Sequence, residues 1–170
     1  YIWLLWKNNQ GEQMPSLLER TPYYLKEAIL NSLFGYHLQN HPVLGRFHLD
    51  LLRQMAASFK QRIYCAGDTI TFANDLDEKM YFIHDGIVEV INEDSMTTGR
   101  VPKQLTDGEM FGLEQGLNPR KGHFYTYRAK KYSVILMLGY RSWCHLLQFF
   151  PASQAIAQSL GLLAAKEDSI

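Results

Sequence analysis

Two stretches decide the fold: Lys79-Met-Tyr-Phe-Ile-His-Asp-Gly-Ile-Val-Glu-Val-Ile91, and Leu105-Thr-Asp-Gly-Glu-Met-Phe-Gly-Leu-Glu-Gln115. The first is rich in β-branched and aromatic residues, which fit a pleated, half-buried surface. It predicts one long strand over Met80 to Ile91, with Gly86 as a bulge or tight bend. The second holds Asp107-Gly108, a turn signal, before Phe111-Gly112. Between them, Asn92 to Lys103 is polar and contains Gly99, which reads as a hairpin loop.

Further strands flank this centre. Gln61-Arg-Ile-Tyr-Cys65 runs into the turn Ala66-Gly67-Asp68, and Thr69-Ile-Thr-Phe72 alternates. Phe124–Ala129 and Tyr132–Leu138 are two more candidates, parted by Lys130-Lys131. Short strands punctuated by glycine at this spacing predict a β-roll or barrel.

Both ends change period. Thr21-Pro22 is a helix start, with Thr as cap and Pro at the first helical position. Leu25, Ile29 and Leu33 follow as an apolar stripe, and Gly35 is expected to end or bend the helix. A shorter helix is expected from about Pro15, burying Leu17 and Leu18. Another is expected over 47–59, with Leu49, Leu52, Met55 and Phe59 on one face. Ser142 to Ala165 carries no Asp, Glu, Lys or Arg and is long enough to span a bilayer. Its glutamines, its serines and Pro151 favour two separate helices instead, the second with Ile156, Leu160 and Leu163 as its stripe. The order helices, strands, helices is an α+β chain.

Composition bounds the function. The chain has 170 residues, 46% hydrophobic and 20% charged, with seventeen basic side chains balanced by seventeen acidic ones. No strong field for nucleic acid or anionic membrane is expected. Cys65 and Cys144 stand in no metal or redox spacing and are expected to be reduced, buried thiols. Tyr1-Ile-Trp-Leu-Leu-Trp6 is apolar but too short for a secretory leader. The six histidines form no metal-binding spacing in the strand region; His37 and His41 are the one i, i+4 pair, and Pro42 breaks that helix. Asp75, Asp77 and Glu78 fall short of a calcium loop and read as a solvated turn. No nucleophile, base and orienter constellation stands out, so an enzyme is not expected.

The pattern Lys-Met-Tyr-Phe-Ile-x-x-Gly-x-Val-x-Val, followed by Leu-x-x-Gly-x-x-Phe-Gly, resembles cyclic-nucleotide-binding domains. With the helical N-terminal segment, the whole chain resembles the cytoplasmic C-terminal region of the voltage-gated cation channels that include hyperpolarisation-activated, cyclic-nucleotide-gated and related potassium channels. The resemblance implies a partial helical linker over 1–46 and a cyclic-nucleotide-binding-like domain over 47–170. Within that domain it implies an antiparallel, jelly-roll-like β-roll at about 60–139, then hinge and lid helices at about 141–165. It implies a domain on the cytoplasmic side of a membrane, held there by a parent channel, with the pore domain and other copies of itself as partners. Trp3 and Trp6 would be subunit contacts.

In that family a glutamate after Phe-Gly contacts the ribose, helix-start N–H groups cradle the phosphate, and an arginine pairs with its charge. Here the ligand pocket would comprise Phe111, Gly112, Leu113, Glu114, Arg120, His123 and Phe124. Leu113 stands at the glutamate position, His123 at the arginine and Phe124 at the following threonine. Losing one partner of a buried charged hydrogen bond costs about 2–5 kcal/mol, or roughly 30-fold in affinity or more. No cofactor is therefore expected, and cyclic AMP or cyclic GMP binding is disfavoured. The bulky run Phe124-Tyr-Thr-Tyr127 is expected to fill the vacated space. Two alternatives stand beside this reading: a true sensor rebuilt around Arg120 or His123, and a soluble regulatory or scaffold subunit. Some relatives fill the pocket with an aromatic residue of a C-terminal tail, but no aromatic residue follows Phe150 here.

Overall fold

The computed structural model describes residues 22–92, 101–117 and 121–160. The expected helix near Pro15 and the residues Thr21, Trp3, Trp6 and Arg120 lie outside them. The chain opens with α1 (Tyr23–Asn40), a short 3₁₀ turn (Leu44–Arg46) and α2 (Leu49–Ser58). Two histidines shape these junctions. His41 Nδ1 accepts from the N–H groups of Val43 and Leu44, and His48 Nδ1 accepts from Asp50 N at the start of α2.

Eight strands follow among the described residues: β1 (Lys60–Tyr64), β2 (Thr69–Thr71), β3 (Lys79–Asp85), β4 (Val88–Ile91), β5 (Lys103–Leu105), β6 (Met110–Phe111), β7 (Thr126–Ala129) and β8 (Ser133–Gly139). They form two antiparallel four-stranded sheets, ordered β1-β8-β3-β6 and β2-β7-β4-β5. A five-residue helix, α3 (Leu113–Leu117), stands between β6 and β7; α4 (Tyr140–Leu147) and α5 (Pro151–Ser159) close the chain. This is an α+β β-roll flanked by helices, as the alternating and helical periods require. No helix among the described residues is long and apolar enough to cross a membrane.

The single long strand expected over Met80 to Ile91 is two strands in different sheets. Gly86 is the corner between them. Its φ is 129°, and a Cβ there would lie 2.2 Å from Ser133 Oγ. Only glycine accepts that backbone and that contact. Gly86 N also donates to Asp107 Oδ1 at 2.8 Å, which ties the corner to the turn before β6.

Strand β3 is buried on both faces from Met80 to Ile83. Met80 and Phe82 join Leu136, Leu138, Trp143 and the helices in one core. Tyr81 and Ile83 join Ile70, Val88, Leu105, Phe111 and Ala129 in a second core inside the roll. The period-two alternation of a strand assigns neighbours to opposite cores.

Four expectations are corrected. The buried stripe of α1 is Leu30, Phe34 and Leu38, while Leu25 is 44% exposed. Gly35 lies inside that helix rather than ending it. In α5 the buried residues are Ser153 and Ala157, with Ile156 only packed at the edge; Ser153 Oγ accepts from His48 N at 3.1 Å. Cys65 is exposed and Cys144 half-buried, so neither is the buried thiol expected.

Candidate functional site

The turn Phe111-Gly112 is held from both sides. Phe111 is buried inside the roll, and Gly112 has φ 67°. A Cβ on Gly112 would lie 2.8 Å from both Lys79 O and His123 Cε1. Glycine is thus required here twice, for its backbone and for the close approach. Helix α3 then packs directly on β3: a Cβ on Gly116 would stand 2.5 Å from Met80 N.

Two contacts fasten the segment that returns to β7. Gln115, buried, donates from Nε2 to Gly122 O at 2.9 Å. Lys121 pairs with Glu114 at 3.0 Å, both about half exposed, so this ion pair adds little stability. Next, His123 zips onto the loop after β2. Asn74 N donates to His123 O at 2.7 Å, and His123 N donates to Asp75 O at 3.1 Å.

These contacts press His123 into the roll, where it is 1% exposed. Its ring faces Tyr81 at 6.1 Å and Tyr127 at 5.9 Å. Nε2 has no hydrogen-bond partner among the described residues. Burial lowers the His123 pKa; the negative charges of Asp77 and Asp75 and a hydrogen bond to the Asp77 backbone oppose the shift, and Lys79 adds to it.

Beside it stand three stacked rings. Tyr81 and Phe111 are 4.8 Å apart at 5°, and Phe111 and Tyr127 are 4.1 Å apart at 16°. Such offset stacks contribute about 0.5–1.5 kcal/mol per pair beyond area burial. The Tyr81 hydroxyl donates to Asp77, whose carboxylate also pairs with Lys79 at 3.0 Å. Burial, then the Asp77 contact, raise the Tyr81 phenol far above its ordinary range. Burial, with Tyr125 adding, pushes the Tyr127 phenol up to about 12.

Residues 61–148 match the family described as the cyclic nucleotide-binding domain. This chain belongs to that family. Its similarity reaches further than the matched region. Over 171 residues it is 24% identical to the cyclic nucleotide-gated channel rod photoreceptor subunit alpha of Gallus gallus, covering 98% of this chain and 26% of that protein. Over 153 residues it is 26% identical to the voltage-gated inwardly rectifying potassium channel KCNH6 of Rattus norvegicus, covering 89% of this chain and 16% of that protein. Over 147 residues it is 24% identical to the potassium/sodium hyperpolarization-activated cyclic nucleotide-gated channel 4 of Oryctolagus cuniculus, covering 86% of this chain and 12% of that protein. The chain thus spans about a quarter or less of the length of these relatives.

Within this cyclic nucleotide-binding domain, the residues singled out from the sequence divide into three groups. Phe111, Gly112 and His123 come together at the roll interior. Leu113 packs against the helix-side core instead, and Glu114 is exposed in its ion pair with Lys121. Phe124 is a correction: it is 70% exposed and lines a surface cleft with Phe72 and Arg128, outside the roll. Tyr125 is 40% exposed and does not fill the interior either. Of the run 124–127, only Tyr127 packs inward, and His123 joins it. Sequence reasoning missed Tyr81, Asp77 and Gln115. Tyr81 was signalled by alternation with Met80 and Phe82; Gln115 and Asp77 carried no local signal.

Proposed function

We propose that this chain is the cytoplasmic regulatory domain of a tetrameric cation channel, and that it acts without tight binding of a cyclic nucleotide. The observation that carries the second half is the occupied roll interior. Tyr127 stacked on Phe111, with His123 buried beside the Phe111-Gly112 turn, takes up space next to the cassette, and neither ring brings a permanent positive charge there. The first half rests on the channel relatives, whose likeness runs through the helices preceding the roll. In this reading the roll and the helices after it take one of two arrangements, and the N-terminal helices pass that bias to a pore. A ligand shifts such a balance only by its differential affinity for the two states. With the interior self-filled, the domain supplies a standing bias that partners or modification alter. Trp3 and Trp6 belong to this proposal as subunit contacts.

The test is calorimetric titration of the 170-residue chain with cyclic AMP and cyclic GMP to millimolar ligand. No saturable heat and no thermal shift is the expected result. Micromolar binding would overturn the self-filled reading. One observation favours the rebuilt sensor as second reading: the buried, unpartnered Nε2 of His123. That sensor would bind more tightly as the pH falls and would fail in His123→Ala. For the channel half, electrical recording from cells expressing the full-length protein, with and without residues 60–139, is expected to show altered gating; no current in either would count against it.

A further inference from the structure

The outer face of the second sheet carries a cleft of 470 Å³ that the reading above does not use. Its floor is built from outward side chains: Thr126 and Arg128 alternate along β7 with Tyr127 and Ala129, which pack inside the roll. Thr69 lies opposite Arg128 on one side, and Ile91 lies opposite Thr126 on the other. The cleft and the roll interior are therefore on opposite faces of one sheet. Two phenylalanines form the rim, Phe72 at 59% and Phe124 at 70% exposure.

These rims are fixed in place. Ala73 N donates to Thr126 Oγ1 at 3.0 Å, and Phe72 N donates to Asp75 Oδ2 at 3.2 Å. The Asn74–His123 bond joins the two rim loops directly. Large apolar rings held exposed beside a preformed cavity mark a contact surface, and the volume falls within the small-molecule range of about 300–1,000 Å³. At the floor, Glu89 meets two cations, Arg128 Nη2 at 3.2 Å and Lys130 Nζ at 3.7 Å. Arg128 engages Glu89 through Nη2 alone among the described residues, and its side chain is 40% exposed.

We propose that this cleft binds a small aromatic carboxylate, its ring against Phe72 and Phe124 and its carboxylate on the Arg128 guanidinium. A planar ring suits aromatic walls, and a guanidinium fork suits a carboxylate.

Naphthoate titrated into the 170-residue chain by calorimetry tests this. Saturable binding is expected, with Phe124→Ala and the uncharged probe naphthamide each weaker by about tenfold. Phe149→Ala, which removes a ring 63% exposed that does not line the cleft, should leave affinity unchanged. Excess cyclic AMP should not displace the probe. The proposal is overturned by lack of saturation at millimolar probe, by equal affinity of wild type, Phe124→Ala and Arg128→Gln, or by displacement with cyclic AMP.

Discussion

Replacing Gly112 with alanine tests the geometry of the site against a built-in control. Both Gly112, at φ 67°, and Gly67, at φ 92°, hold left-handed backbone. An L side chain in that region costs about 1–2 kcal/mol. At Gly67 that is the whole penalty, because nothing lies within 4 Å of the added Cβ. At Gly112 the Cβ also meets Lys79 O and His123 Cε1 at 2.8 Å and Tyr81 Cδ2 at 3.2 Å. The carbonyl belongs to a strand paired on both sides and cannot retreat, so overpacking adds about 1–3 kcal/mol. Urea denaturation of each variant, followed by circular dichroism, gives the comparison. With a slope of about 1–3 kcal/mol per molar for a domain of this size, Gly112→Ala should unfold about 1 M or more below wild type. Gly67→Ala should fall by roughly half as much. Equal midpoints for the two variants would refute the packing of the Phe111-Gly112 turn onto His123 and β3.

Three further outcomes follow from the same site. Burial depresses the pKa of His123, so the unfolded chain takes up a proton at higher pH than the folded one. Stability is then full above the unfolded histidine value of about 6.5 and falls as the pH drops below it. His123→Gln should flatten that acid slope without abolishing it, since His41 is shifted the same way; an unchanged slope by denaturation at several pH values would contradict the burial of His123. Tyr81→Phe removes the hydroxyl that donates to Asp77 and should destabilise by about 1–2 kcal/mol in thermal melts, whereas a neutral result would mean the bond is not formed in solution. Gln115→Ala should speed amide exchange at Gly122 and His123 while leaving β1 and β8 protected; uniform change across the domain would show a global rather than local role.

The sequence carried the architecture further than the site. Alternation and glycine placement marked β1, β2, β7 and β8 to within about two residues. The short strands β5 and β6 were invisible because three- and two-residue strands hold no period to read. Gly86 was legible as a bend but not as a change of sheet, because that depends on what each half pairs with. In α1 the spacing of Leu25, Ile29 and Leu33 is matched by that of Leu30, Phe34 and Leu38, so the helix's apolar pattern did not say which side was buried; packing against Phe59 and Phe82 decides it. The site failed by one residue. The run Phe124–Tyr127 was expected to fill the space as a block, whereas strand alternation in the register fixed by the His123 backbone bonds puts His123 and Tyr127 inward and Phe124 out.

Strand β3 is a party wall. Its alternate side chains complete two separate interiors, so neither compartment has a lining of its own on that side. Proteins that insulate one packed region from another place solvent or a loose layer between them; here a single thickness of backbone separates the two. Displacing the helices therefore displaces the same peptide groups that set the positions of Tyr81 and Ile83. Melting either interior therefore uncovers one face of the strand that completes the other.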